Sequence, residues 1–224
     1  MNKGTHFIGQ PMYGQLLNLL DRSKILRFSR ESGGERYVKH FDTWQHLVIM
    51  LYAVIKRFDS LREITDSMFP EARKLAHLGI NLMPRRSTLS DANSRRKECV
   101  FEAVYRDLYA TYRDELSSDS RRKRWEIELL FKQLKQNFPL RYFYGESANA
   151  INIQIWVTLI ANLLLMVMQR RIKRSWSFSN LATMFRIMLM YYVNCYTFFE
   201  QPERDWLKII EMDNPQPNEP ALFD

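Results

Sequence analysis

Cysteine is scarce in this chain. The two present, Cys99 and Cys195, lie far apart within helical patterns. They provide neither a disulfide framework nor the paired spacing of a zinc site, and buried thiols are the expectation. Four histidines, His6, His40, His46 and His77, show no ligand or triad spacing. Seven glycines and eight prolines are too few for long flexible linkers, except near the end of the chain. Alternating or β-branched runs are also missing, so no strand is expected. Met1 to Gln10 is polar, without the apolar core of a secretory leader.

What is present is ordinary in amount and informative in arrangement. The chain has 224 residues, 46% of them hydrophobic, which suffices for one or two small domains. The net charge is +8 and the isoelectric point about 9.5, a balance that suits a polyanionic partner. Acidic residues gather at the end, from Glu200 to Asp224, so the body before them is more basic than the total shows. The most apolar segment, Ile151 to Met168, is interrupted about once per turn by Asn152, Gln154, Thr158 and Asn162. That spacing describes a buried helix with a polar stripe rather than a membrane span.

Helical periodicity runs through most of the chain. Leu16, Leu17, Leu19 and Leu20 mark a short amphipathic helix near Met12 to Leu20. Asp42 or Thr43 can cap a strong helix from Trp44 to Arg57. Ser60 to Glu63 is a capping-box pattern, Pro70 opens a further helix, and Gly79 stops it. A second capping pattern, Ser87 to Asp91, leads through Arg95-Arg96-Lys97 to a long helix with Val100, Phe101, Val104, Tyr105, Leu108 and Tyr112 inward. Later helices are expected at 122–136, at 147–171 and from Ser177 to Phe199. Five tryptophans and the Met184, Met188, Met190 run read as packing groups.

Two constellations carry chemistry. The short helices near 60–68, 70–78 and 87–96 suggest a helix-turn-helix arrangement. Arg85 and Arg86 stand at the start of the third helix. Ser87, Thr88, Ser90, Asn93 and Ser94 offer short polar groups, and Arg95, Arg96 and Lys97 follow. Phosphate binding needs clustered cations, and base reading needs short donors at a helix start. A small helical domain with a solvated basic loop fits the same pattern. The second constellation is R-W-E-I-E-L-L-F-K-Q-L-K at 124–135. Arg124, Glu128 and Lys135 lie on one helical face, beside the apolar Ile127, Leu130, Phe131 and Leu134. A carboxylate flanked by cations suits a metal ion and a nucleic-acid phosphate, and equally a solvated face with ion pairs. Lys132 and Arg141 either extend a phosphate track from Lys135 or are solvated charge.

The second stretch resembles the C-terminal signature of the insertion sequence 4 family of DDE transposases. That signature runs Tyr, two residues, Arg, three residues, Glu, six residues, Lys. Arg124, Glu128 and Lys135 match it, and Arg121 occupies the Tyr position. The following W-E-I-E-L-L-F-K-Q-L-K-Q-N-F-P-L-R-Y-F-Y-G-E-S is similar to the family, and the similarity continues to about Glu200. The resemblance implies a ribonuclease-H-like catalytic fold in which Glu128 is the third metal-binding carboxylate. Arg124 and Lys135 would position DNA. Intact relatives use Mg2+ held by two further aspartates on strands. Between Leu116 and Arg121 there is no room for those strands, so an internal deletion is expected.

The resulting expectation is an all-α chain in three parts. Residues 1–118 form a helical, DNA-binding domain with a helix-turn-helix-like part. Residues 119–200 are the helices left from a ribonuclease-H-like domain that lacks its sheet, and 201–224 are an acidic, proline-containing tail. The implied function is that of an insertion-sequence transposase, truncated and without two of three catalytic carboxylates. Glu128 would then be an incomplete metal site with no Mg2+ bound. The alternative is a non-catalytic DNA-binding or interfering protein derived from such an enzyme. Expected partners are duplex DNA at transposon ends, further copies of the chain or a full-length transposase, with no membrane. The expected place is the bacterial cytoplasm, at the nucleoid.

Overall fold

The computed structural model describes residues 10–36, 38–80, 82–116, 132–138, 140 and 142–204. Among these the chain is helical and contains no strand. The helices are α1 Met12–Leu17, α2 Arg22–Glu31, α3 Thr43–Lys56, α4 Leu61–Met68, α5 Ala72–Ala76, α6 Arg86–Arg95, α7 Cys99–Leu116, α8 Ala148–Arg171, α9 Phe178–Met188 and α10 Cys195–Glu200. Residues 132–137 are also helical.

Helix α3 is the spine of the core. Its residues from Thr43 to Ile55 are all buried, so it is apolar around most of its circumference, as a helix covered on every side must be. Its ends are set by local chemistry. The Asp42 carboxylate accepts from the Gln45 amide N–H at 2.7 Å, and the Gln45 side chain accepts from the Asp42 N–H at 3.2 Å, a complete capping box. At the other end Arg57 turns into the left-handed region with φ 63°. Helix α4 starts as its Ser60 predicts, with the Ser60 hydroxyl accepting from the Glu63 N–H.

Helix α8 is the second long core element, packing along α7 and α3 and touching α6. The hydrophobic cluster runs from Met12 on α1 to Phe199 on α10. The described segments up to Leu116 and from Lys132 onward therefore share one core. Gln154, Thr158 and Asn162, the expected polar stripe, are buried within it, whereas Asn152 is half-buried. The Gln154 amide donates to the Tyr142 carbonyl and accepts from the Tyr144 N–H, both at 2.9 Å, which ties the loop before α8 to the helix. Helix α8 is long and apolar enough to cross a membrane by length and composition, and 67% of its most apolar window is buried inside the fold.

The structure departs from the sequence reading at several elements. Helix α2 has no counterpart in that reading. Asp21 caps it, accepting from the Ser23 and Lys24 N–H groups, but only Ile25 and Ser29 are buried, so its apolar signal is thin. Pro70 does not open a helix cleanly, since Phe69–Glu71 forms a 3-10 turn that joins α4 to α5. The expected helix from Ser177 to Phe199 is broken between α9 and α10. The break is used by α1, whose first N–H groups have no partners in their own helix. Met12 N–H donates to the Tyr191 carbonyl at 2.9 Å and Tyr13 N–H to the Leu189 carbonyl at 2.8 Å. Gln15 completes the junction by donating to the Val193 carbonyl and accepting from the Cys195 N–H. Cys99 is exposed rather than buried, and Cys195 is buried with its thiol pKa raised by desolvation.

Candidate nucleic-acid interface

The cationic constellation forms around α6, but its start differs from the capping pattern read in the sequence. Ser87 lies inside the first turn. The N-cap position is Arg85, in extended conformation, and no side chain caps the helix. Its first N–H groups therefore lack an acceptor from the cap side chain, and the positive end of the helix dipole lies beside Arg85 and Arg86. Both arginines are exposed, as are Ser87, Ser90, Ser94, Arg95 and Lys97, while Thr88 is half-buried. This end of α6 has the chemistry of an anion site: backbone donors, hydroxyls and guanidinium groups. Arg95 is partly engaged, meeting Asp91 one turn back at 2.7 Å.

Two residues of the expected DNA face point the other way. Asn93 is buried at 1% exposure and Arg96 at 4%, so neither stands on the exposed face of α6. Their roles are internal. The Asn93 side-chain oxygen meets His46 Nε2 at 2.8 Å. Arg96 donates to the Phe41 carbonyl and lies over the Phe41 ring, 5.2 Å from its centroid. Burial lowers the Arg96 pKa, against the opposing attraction of Glu35 and Asp42. His46 is held neutral, its pKa lowered to about 3 by burial first and by the Arg96 charge second. Asn149 at the start of α8 donates to the carbonyls of Asn93 and Arg96 at 2.8 and 2.7 Å and accepts from the Glu98 N–H. The buried side of α6 is thereby fixed to α3 and α8, which holds its exposed side rigidly.

The three helices of the expected helix-turn-helix-like part are present, with a long connection before the third. Helix α6 packs on α4. The connection from α5 to α6 runs over 77–85, longer than the 3–4-residue turn of that motif. Gly79 is required in this connection, with φ +83° and Arg22 Nη1 only 3.3 Å from where a Cβ would stand. Trp44 Nε1 and the Gln45 amide donate to the Leu78 and Gly79 carbonyls, so α3 supports the same turn.

Of the second constellation, Arg121, Arg124 and Glu128 lie outside the described residues, as does Arg141. Lys132 and Lys135 are exposed on the helical residues 132–137. Sequence reasoning missed what holds this helix. Arg57 donates through Nε to the Asn137 carbonyl and through Nη2 to the Gln136 carbonyl, both at 2.8 Å. Arg186 on α9 donates to the Ile55 carbonyl at 2.8 Å and to the Asn137 carbonyl at 3.5 Å. Burial, and then the charge of Arg57, lower the Arg186 pKa to about 10. Two guanidinium groups thus meet the carbonyl end of the helix, the end its dipole makes negative. The only hint in the sequence is the position of Arg57 just after a strong helix. Among the described residues there is no group of three His, Cys, Asp or Glu placed to hold a metal ion, and Glu128 lies outside them.

Comparison with known proteins agrees with part of this picture. Residues 8–81 match a family described as a domain of unknown function (DUF4372). The protein named "Putative transposase y4zB" from Sinorhizobium fredii is 43% identical over 47 residues, covering 21% of this chain and 13% of its own. From Synechocystis, "Putative transposase for insertion sequence element IS4SA" is 44% identical over 52 residues, 23% of this chain and 15% of its own. These matches support a relationship to transposases. The chain matches only a small share of either relative's length. No solved structure matches it.

Proposed function

We propose that this chain is a transposase-derived protein that binds duplex DNA through the exposed face of α6 and does not itself cut DNA. The observation that carries the reading is the uncapped, arginine-bearing start of α6, rigidly backed by Asn93, Arg96 and Asn149. The partial similarity to proteins named as transposases supports it. Arg85, Arg86, Arg95 and Lys97 would take phosphates, while Ser87, Thr88, Ser90 and Ser94 would reach sugar, phosphate or base edges. The finer descent, from a DDE enzyme of the insertion sequence 4 family by internal deletion, rests on Arg124, Glu128 and Lys135 in the sequence. One carboxylate of a set of three cannot hold two metals, so occupation of transposon ends, alone or with a full-length enzyme, is the activity that remains. The test is incubation of the purified chain with transposon-end duplex and Mg2+ or Mn2+. Retarded but uncut DNA is expected, with retardation weakened in Arg85→Ala/Arg86→Ala. Metal-dependent nicking that vanishes in Glu128→Ala would overturn the non-catalytic reading.

A further inference from the structure

A cavity of about 280 Å3 lies between the turn that joins α1 to α2, helix α2 itself and α7. Its deep side is apolar, formed by the buried Ile25, Val104 and Leu108. Leu19, Leu20 and Phe28 line it as well and are half-buried. The charged groups are more exposed and form the rim. Lys24 Nζ meets both oxygens of the Asp107 carboxylate, at 2.9 and 3.1 Å, and this pair is partly exposed. One oxygen of the exposed Asp21 carboxylate accepts from the N–H groups of Ser23 and Lys24. The two hydroxyls in the lining are already used. Thr111 donates to the Asp107 carbonyl at 2.8 Å, and Tyr112 to the Leu19 carbonyl at 3.1 Å.

We infer that this cavity binds a small primary amine with an apolar body. Charge selects the amine. Lys24 is the only cation in the lining and is already taken by Asp107, whereas Asp21 forms no ion pair among the described residues. Arg171, which lies over the Tyr112 ring, is held by Glu115. The lining thus carries two carboxylates against one ammonium, and each carboxylate has lone pairs left for further N–H donors. An ammonium at the rim meets Asp21 and Asp107, while a carboxylate there meets two like charges. The surface of Ile25, Val104 and Leu108 takes the apolar body, which gains by leaving water. The volume is small for a drug-sized ligand and limits that body to one ring or a short branched chain. Occupancy also acts on the fold. Helix α2 buries only Ile25 and Ser29, so a ligand held between Asp21 and Asp107 ties a thinly packed helix to α7. The site shares no residue with the α6 face and does not rest on the DNA-binding reading.

The experiment is isothermal titration calorimetry of the full chain with phenethylamine and with 3-phenylpropionate, which has the same ring and the opposite charge. The amine should bind about tenfold more tightly, the scale of one hydrogen bond to a charged group. The net charge of +8 favours the carboxylate everywhere else on the molecule, so a preference for the amine reports this site. Asp21→Asn/Asp107→Asn should abolish the preference. Asp21→Asn alone leaves the Lys24–Asp107 pair intact and should lose part of it. Asparagine caps a helix as well as aspartate does, so α2 keeps its start, and circular dichroism checks that the variants fold. Amide hydrogen exchange in α2 should slow when the amine is bound. Equal affinity for the two ligands, no saturable binding of the amine, or an unchanged preference in both variants would overturn the site. Slowed exchange confined to helices other than α2 and α7 would overturn its placement.

Discussion

His46 shows how a single residue sets a condition on the fold. It is buried and neutral, with Asn93 as its partner and the Arg96 charge near it. Its pKa falls from the ordinary 6.5 to about 3 in the folded chain, so below pH 6.5 the unfolded chain binds the proton and the folded chain does not. Stability from this group is complete above pH 6.5 and is lost as pH falls from there toward 3. The slope is about 1.4 kcal/mol per pH unit for one such group. Urea unfolding at pH 7 and pH 5 should show that loss in the parent, and His46→Gln should remove the corresponding part of the slope. An identical slope in both proteins would mean that His46 is not buried neutral. Asn149 is the second residue with a measurable role. Asn149→Ala leaves the Asn93 and Arg96 carbonyls and the Glu98 N–H without this partner, and should cost about 1–3 kcal/mol.

At the scale of elements, legibility follows the strength of local signals. The capping box at Asp42 and Gln45 and the Ser60 cap are readable because the groups that satisfy a helix start lie within a few residues. The span of α8 is readable because Ser147 caps it and its apolar run is long. Asn93 and Arg96 cannot be separated from Ser90 and Arg95 by sequence, since α6 is polar nearly all round and a histidine from α3 meets its buried face. The break between α9 and α10 is equally hidden, because it answers a need of α1 that lies far away in the chain. Gln15 is the pivot of that arrangement, bonded to both Val193 and Cys195. Gln15→Leu keeps the approximate volume and removes both bonds at a buried position. It should lower unfolding free energy by about 1–3 kcal/mol in denaturant titration. No change would mean that the junction is held by apolar packing alone.

For the whole molecule, the continuous core decides how the two segments behave. The sequence alone suggests that helices after residue 119 lack a covering sheet. In the structure α3 and α7 cover α8, with Leu163 and Val167 buried, whereas Ile155 and Leu159 remain half-exposed. A fragment ending at residue 116 would uncover the sides of α3 and α7 that meet α8, at about 1.5–3 kcal/mol for each large apolar side chain exposed. It should bind a hydrophobic dye and unfold without a cooperative transition, whereas the full chain should give one transition. The same core gives α6 its rigid backing, so the candidate interface depends on both segments. Its direct test is the affinity for duplex DNA measured across a series of salt concentrations. Replacing Arg85, Arg86, Arg95 and Lys97 with alanine together should weaken binding and flatten the logarithmic salt slope by about 0.9 for each phosphate that is no longer neutralised. A variant that matches the parent in both affinity and slope at every salt concentration would contradict the assignment of α6 as the DNA-binding face.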